Sequence, residues 1–153
     1  MMKYLAVLLF AVLLQLPQQQ YATKTSIDEI IAQNKGKVIV IDYWASWCKP
    51  CRKEMPAMKS LMKKYKNSDI AFVFISMDID QEKWKEAAEK EGIAEEPYSY
   101  MSFQIKKTEL AKTIKGSSIP NYVIFDKNGI LVNNNAPRPG KKLQAEIDKY
   151  LNQ

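Results

Sequence analysis

Two apolar runs set the limits on what this chain can fold into. Residues 37–44 read KVIVIDYW and residues 70–77 read IAFVFISM. Neither alternates polar with apolar, as a half-exposed strand does, and both are rich in β-branched and aromatic types. Near-continuous runs of this kind belong to strands covered on both faces. Between them, Met55, Met58, Leu61, Met62 and Tyr65 recur at helical spacing, so a helix is expected over about 49–66. Pro56 falls inside it and is expected to bend it.

The remaining elements follow from local signals. Ser26-Ile27-Asp28-Glu29 is a capping-box pattern for a short helix over 27–34, ended by Gly36. Asp80 can cap a helix over 81–91, with Gly92 just beyond it. The stretch 97–103, PYSYMSF, is aromatic and irregular, and its rings are expected to pack within an insertion. A short helix over 105–114 follows. The run NYVIF (121–125) reads as a strand, turned by Asp126-Lys127-Asn128-Gly129 into another at 130–133. Leu143, Ile147 and Leu151 repeat every four residues on a terminal helix. The order β-α-β-α, then α-β-β-α, argues an α/β sandwich around a mixed sheet.

Length and composition fit one folded unit. The chain has 153 residues, 46% hydrophobic and 26% charged, which is ordinary for a single globular domain. The N-terminus carries one lysine, Lys3, before an apolar run from Tyr4 to Leu14. That run is short for a membrane span of about 20 residues. It fits the apolar centre of an export signal. Residues 1–22 are therefore expected to be a signal peptide or an uncleaved N-terminal anchor, and residues 24–153 the folded domain. Export implies a periplasmic or other extracytoplasmic site of action.

The chain contains no histidine, which excludes Ser-His-Asp and Cys-His catalysis and histidine-based metal sites. The net charge of +6 is mostly lysine interleaved with glutamate, as in EKWKEAAEKE (82–91), and reads as solvated helix faces. Arg52 and Arg138 are the only arginines, and no nucleic-acid reader motif is present, so nucleic-acid binding is not expected. Lys49, Arg52 and Lys53 form one local exception beside the cysteines.

Cys48 and Cys51 are the only cysteines, two residues apart where the first strand meets the helix. At a helix N-terminus, free N–H groups and the helix dipole favour a thiolate at Cys48. Lys49 adds a neighbouring cation. Pro50 is tolerated in the first turn, where its missing N–H would be unpaired anyway. Cys51, one turn along, is close enough to attack a mixed disulfide formed at Cys48. The competing roles fit poorly. Zinc needs about four ligands. Haem attachment needs a histidine where Arg52 stands. A structural disulfide closing four residues would restrict the unfolded chain little. Asp42 lies six residues before Cys48 in a buried strand. Burial should raise its proton affinity and suit it to exchange a proton with Cys51. The alternative is a satisfied structural carboxylate.

The segment DYWASWCKPC (42–51) resembles the active-site segment of thioredoxin-fold proteins. The longer pattern W-C-x-P-C-x-x-E-x-P, through Arg52-Lys53-Glu54-Met55-Pro56, resembles the bacterial extracytoplasmic TlpA-like (ResA-like) thiol-disulfide oxidoreductases. Residues 52–119, 68 in number, separate Cys51 from Pro120 and leave room for that group's inserted β-α element. The resemblance implies a thioredoxin fold with helices on both faces of a mixed sheet. It implies Cys48 as nucleophile and Cys51 as resolving thiol, joined as a disulfide when oxidised. It also implies a cis-proline at Pro120, with Ile119 offering its backbone to an extended substrate. Trp47, Lys49 and Pro50 complete the expected substrate-facing set. Glu54 competes with Asp42 for the proton, or is a surface group.

The expected activity is dithiol-disulfide exchange with protein substrates, as a reductase, with no metal or organic cofactor. A membrane thiol electron donor, a role in cytochrome c maturation and a monomeric state belong to the same expectation. Open alternatives are a disulfide oxidase or isomerase, a thiol peroxidase, and a redox-inactive binding module on the same fold.

Overall fold

The computed structural model of the protein describes residues 24–114 and 118–153. The expected signal segment, 1–22, lies outside the described residues. Among the latter the helices are α1 (Ile27–Gln33), α2 (Lys49–Lys64), α3 (Gln81–Glu91), α4 (Glu109–Thr113) and α5 (Lys141–Leu151). The strands are β1 (Val38–Trp44), β2 (Ile70–Ser76), β3 (Ser99–Met101), β4 (Asn121–Phe125) and β5 (Leu131–Asn133). They form one sheet in the order β3-β2-β1-β4-β5. β1 is central, parallel to β2 and antiparallel to β4, so the sheet is mixed as expected.

The period-two alternation of β1 divides the core. Val38, Val40 and Trp44 join a cluster with Met55, Met58 and Leu61 of α2, Ala87 and Ala88 of α3, and Leu143 and Ile147 of α5. Ile39 and Ile41 face the other way, onto Ile27, Ile30 and Ile31 of α1. Both faces are covered, which explains why the run at 37–44 shows no polar-apolar alternation.

Local chemistry sets the helix ends. Ser26 Oγ accepts from the Glu29 N–H (3.1 Å), and Glu29 Oε2 accepts from the Ser26 N–H (2.9 Å). Asp80 Oδ1 accepts from the N–H groups of Glu82 and Lys83, both at 3.1 Å. Gly92 ends α3 in the left-handed region (φ 72°).

The segment 97–103 departs from the sequence reading. Ser99–Met101 is an edge strand, parallel to β2 through Phe74↔Ser99 and Ser76↔Met101. Three residues are too few for periodicity to reveal a strand. Tyr98 before it and Tyr100 within it pack against the α1-side cluster of the main core, not only within the insertion. The helix expected over 105–114 is confined to Glu109–Thr113, capped by Thr108, whose Oγ1 accepts from the Ala111 N–H (3.2 Å).

Candidate active site

β1 runs straight into the cysteines. After Trp44 the chain turns, the Cys48 N–H bonds the Ala45 carbonyl (3.1 Å), and α2 begins at Lys49. Cys48 is the N-cap residue, and its sulfur accepts from the Cys51 N–H (3.2 Å). One orphan donor of the helix N-terminus is therefore already aimed at that sulfur. Cys48 and Cys51 are joined as a disulfide, with Cα atoms 5.3 Å apart. Both are nearly buried, whereas Trp47 beside them is 66% exposed and Lys49 and Pro50 are on the surface.

Asp42 lies on β1, six residues before Cys48. By the alternation of β1 it faces the cluster that contains both cysteines. Its lateral neighbours are Phe74 on β2 and Tyr122 on β4. It is 3% exposed, and its Oδ1 has no hydrogen-bond partner. Burial, with the charge of Glu54 added, pushes its carboxyl up to about 8.

Glu54 is held rather than loose on the surface. Its Oε2 accepts from the Tyr122 hydroxyl (2.8 Å), and its Oε1 pairs with Arg138 Nη1 (2.5 Å). Arg52 is paired with Glu91 at the end of α3 (Nε–Oε1 2.8 Å), so of the basic trio beside the cysteines one charge is neutralised locally.

A second buried carboxylate fixes the loop that presents the cysteines. Asp78, 2% exposed, accepts from the Ser46 N–H (2.8 Å), the Ser46 hydroxyl (2.6 Å) and the Ser76 hydroxyl (2.6 Å). This ties the 45–48 turn to the end of β2. Asp78→Ala leaves the buried Ser76 hydroxyl and the half-buried Ser46 donors without their acceptor and should cost about 1–3 kcal/mol. Chemical unfolding checks this, and a loss under about 0.5 kcal/mol would remove Asp78 from the loop's support.

Ile119 and Pro120 precede β4. Their peptide bond is cis, and both side chains are half-buried. Ile119 packs against the cluster that holds the two cysteines.

A sheet in this order, with a disulfide at the start of the helix after its central strand, has counterparts. The profile of the family described as thioredoxin-like matches residues 36–131. The chain belongs to the thioredoxin-like family. Among curated thioredoxin-like relatives, it is 30% identical over 117 residues to a thiol-disulfide oxidoreductase ResA of Bacillus cereus, covering 76% of this chain and 63% of that protein. It is 29% identical over 119 residues to the thioredoxin-like protein YneN of Bacillus subtilis, covering 76% and 66%. The chain thus spans a little under two thirds of the length of these relatives. A crystal structure of a candidate thiol-disulfide oxidoreductase from Bacteroides vulgatus superposes with a TM-score of 0.65 at 34% identity, covering 78% of this chain and 82% of that one.

Within this thioredoxin-like site, Cys48, Cys51 and the face bearing Asp42 share one cluster, with Ile119 packed on it. Glu54 is linked to it through Tyr122, which sequence reasoning took only as part of a strand. Arg138 and Asp78 were also missed as site residues. Arg138 carried one faint signal: it is one of two arginines in the chain. Nothing local ties Asp78 to Ser46, 32 residues earlier.

Proposed function

We infer that this protein is a thiol-disulfide oxidoreductase that exchanges electrons with protein substrates through Cys48 and Cys51. The observation that carries this reading is the Cys48–Cys51 disulfide at the N-terminus of α2, with the buried Asp42 carboxyl, its Oδ1 without a partner, on the same face of the core. In the reducing direction, the Cys48 thiolate attacks a substrate disulfide. A Cys48–substrate disulfide forms, and one substrate thiolate leaves and takes up a proton. Asp42 accepts the Cys51 proton, and the Cys51 thiolate attacks Cys48. The second substrate thiol departs, and the protein is left as the Cys48–Cys51 disulfide. Two electrons pass to the substrate. An acid near pH 8 is closely matched to a thiol, so the proton can pass in either direction.

Pro120 and Ile119 face the extended substrate, with Ile119 giving main-chain hydrogen bonds. Trp47, Lys49 and Pro50 form the exposed rim it meets. The apolar run from Tyr4 to Leu14 supports export, and an extracytoplasmic dithiol held at the membrane is the electron donor this reading needs. Haem-protein maturation is one setting for such a reductase. Among the described residues no helix is long and apolar enough to cross a membrane.

The reduction potential of the pair tests the direction. A value near about −270 mV supports a reductase, and one near about −120 mV makes it an oxidant. A Cys51→Ser variant should accumulate mixed disulfides on Cys48. Their absence from a substrate incubation would overturn the order of attack.

A further inference from the structure

Two acids compete on sequence for one proton, and the structure gives them opposite surroundings. Glu54 has both oxygens occupied, one by the Arg138 guanidinium and one by the Tyr122 hydroxyl. Each of its oxygens already accepts from a fixed donor, one of them a cation. Asp42 has an open oxygen, Oδ1, in a buried site. Tyr122 belongs to both, since its backbone pairs with Asp42 across β1 and β4 while its hydroxyl ends on Glu54. Burial, the Asp42 charge and the Glu54 bond push the Tyr122 phenol far above its ordinary range, so it stays a donor.

We propose that Arg138 and Tyr122 are positioning residues that clamp Glu54 as a fixed neighbouring charge, leave Asp42 as the proton carrier, and let Arg138 tune Asp42 through Glu54. The proton role rests on the oxidoreductase reading above; the clamp does not.

Beside Asp42 the neighbouring strands place Phe74 and Tyr122 at its own register. The charge that acts on it is Glu54 of α2, and Arg138, from the loop before α5, is paired with Glu54. The cluster on that face of the sheet holds Cys51, Leu143 and Ile147. The Glu54 charge adds to the burial that raises Asp42, and Arg138 offsets that charge at contact distance. The signs are then fixed. Removing Glu54 makes Asp42 release its proton at lower pH. Removing Arg138 leaves a bare anion nearby and moves the release to higher pH. Arg138 lies on the surface, its side chain 57% exposed, so its loss does not threaten the core.

The test is a carbon-13 carboxyl NMR titration of the full, oxidised protein, in which no thiol titrates. Glu54→Gln should lower the Asp42 midpoint and Arg138→Met should raise it, each by roughly half a pH unit or more for one partly screened charge. The double variant should match Glu54→Gln alone, because Arg138 acts through Glu54. An unmoved midpoint in Arg138→Met, or shifts that simply add in the double variant, overturns the proposal. In the reduced protein, the pH midpoint of the Cys51 resolving step should rise in Arg138→Met alongside the NMR midpoint. A kinetic midpoint that stays put also overturns it. Failure of the oxidoreductase reading would appear instead as turnover that survives loss of Cys48, with the oxidised-state titration unaffected.

Discussion

Cys48→Ser should reduce disulfide exchange to the rate of the uncatalysed reaction while leaving the fold intact. The chain has two cysteines, so no third thiol can replace the nucleophile. The sulfur is also the N-cap acceptor for the Cys51 N–H at 3.2 Å, and serine is among the best residues for that place. The helix start therefore survives the change. The lost disulfide closes only four residues, so its contribution to stability is small. A collapse of activity with an unchanged unfolding midpoint is then a chemical loss, not a structural one. Insulin reduction driven by dithiothreitol, with thermal unfolding of the same samples, measures both. Retention of more than about one tenth of the activity would refute Cys48 as the attacking group.

The framework was legible in the sequence because it is local. Runs of buried β-branched residues, a capping box at Ser26 and a cap at Asp80 each carry their own cause within a few residues. The Cys48-Lys49-Pro50-Cys51 step is local too. β3 was not legible, because three residues become a strand only by pairing with β2. The supports of the site are non-local in the same way. Glu54 meets Tyr122 across 68 positions and Arg138 across 84. Asp78 reaches back 32 positions to Ser46. A carboxylate in sequence looks the same whether it is held by a distant arginine or left open, so only packing could separate Asp42 from Glu54.

Asp42→Asn should make the protein more stable and less active, and the stability gain should grow with pH. Below the ordinary value of 3.8, folded and unfolded chains both hold the proton, and the carboxyl costs little. Between 3.8 and about 8 the unfolded chain releases it and the folded chain keeps it, so stability falls as pH rises. Above about 8 both forms are ionised, and the full cost of burying the charge is in place. At 1.36 kcal/mol for each pH unit, that interval sets an upper limit of roughly 6 kcal/mol. Asparagine has nearly the same shape and does not titrate. The two proteins should unfold within about 1 kcal/mol of each other at pH 4, with the variant ahead by roughly 2–5 kcal/mol at pH 8. Guanidinium unfolding at both pH values measures this, and a difference independent of pH would rule out a buried, titrating Asp42. The same change removes the acceptor for the Cys51 proton, so resolution near pH 8, where about half of Asp42 is ionised, should slow by roughly a hundredfold. Opposite signs in stability and rate are the mark of a group kept for its chemistry at the expense of the fold. A carboxyl retained for packing alone would show the same pH-dependent stability difference on replacement by asparagine, with no loss of rate.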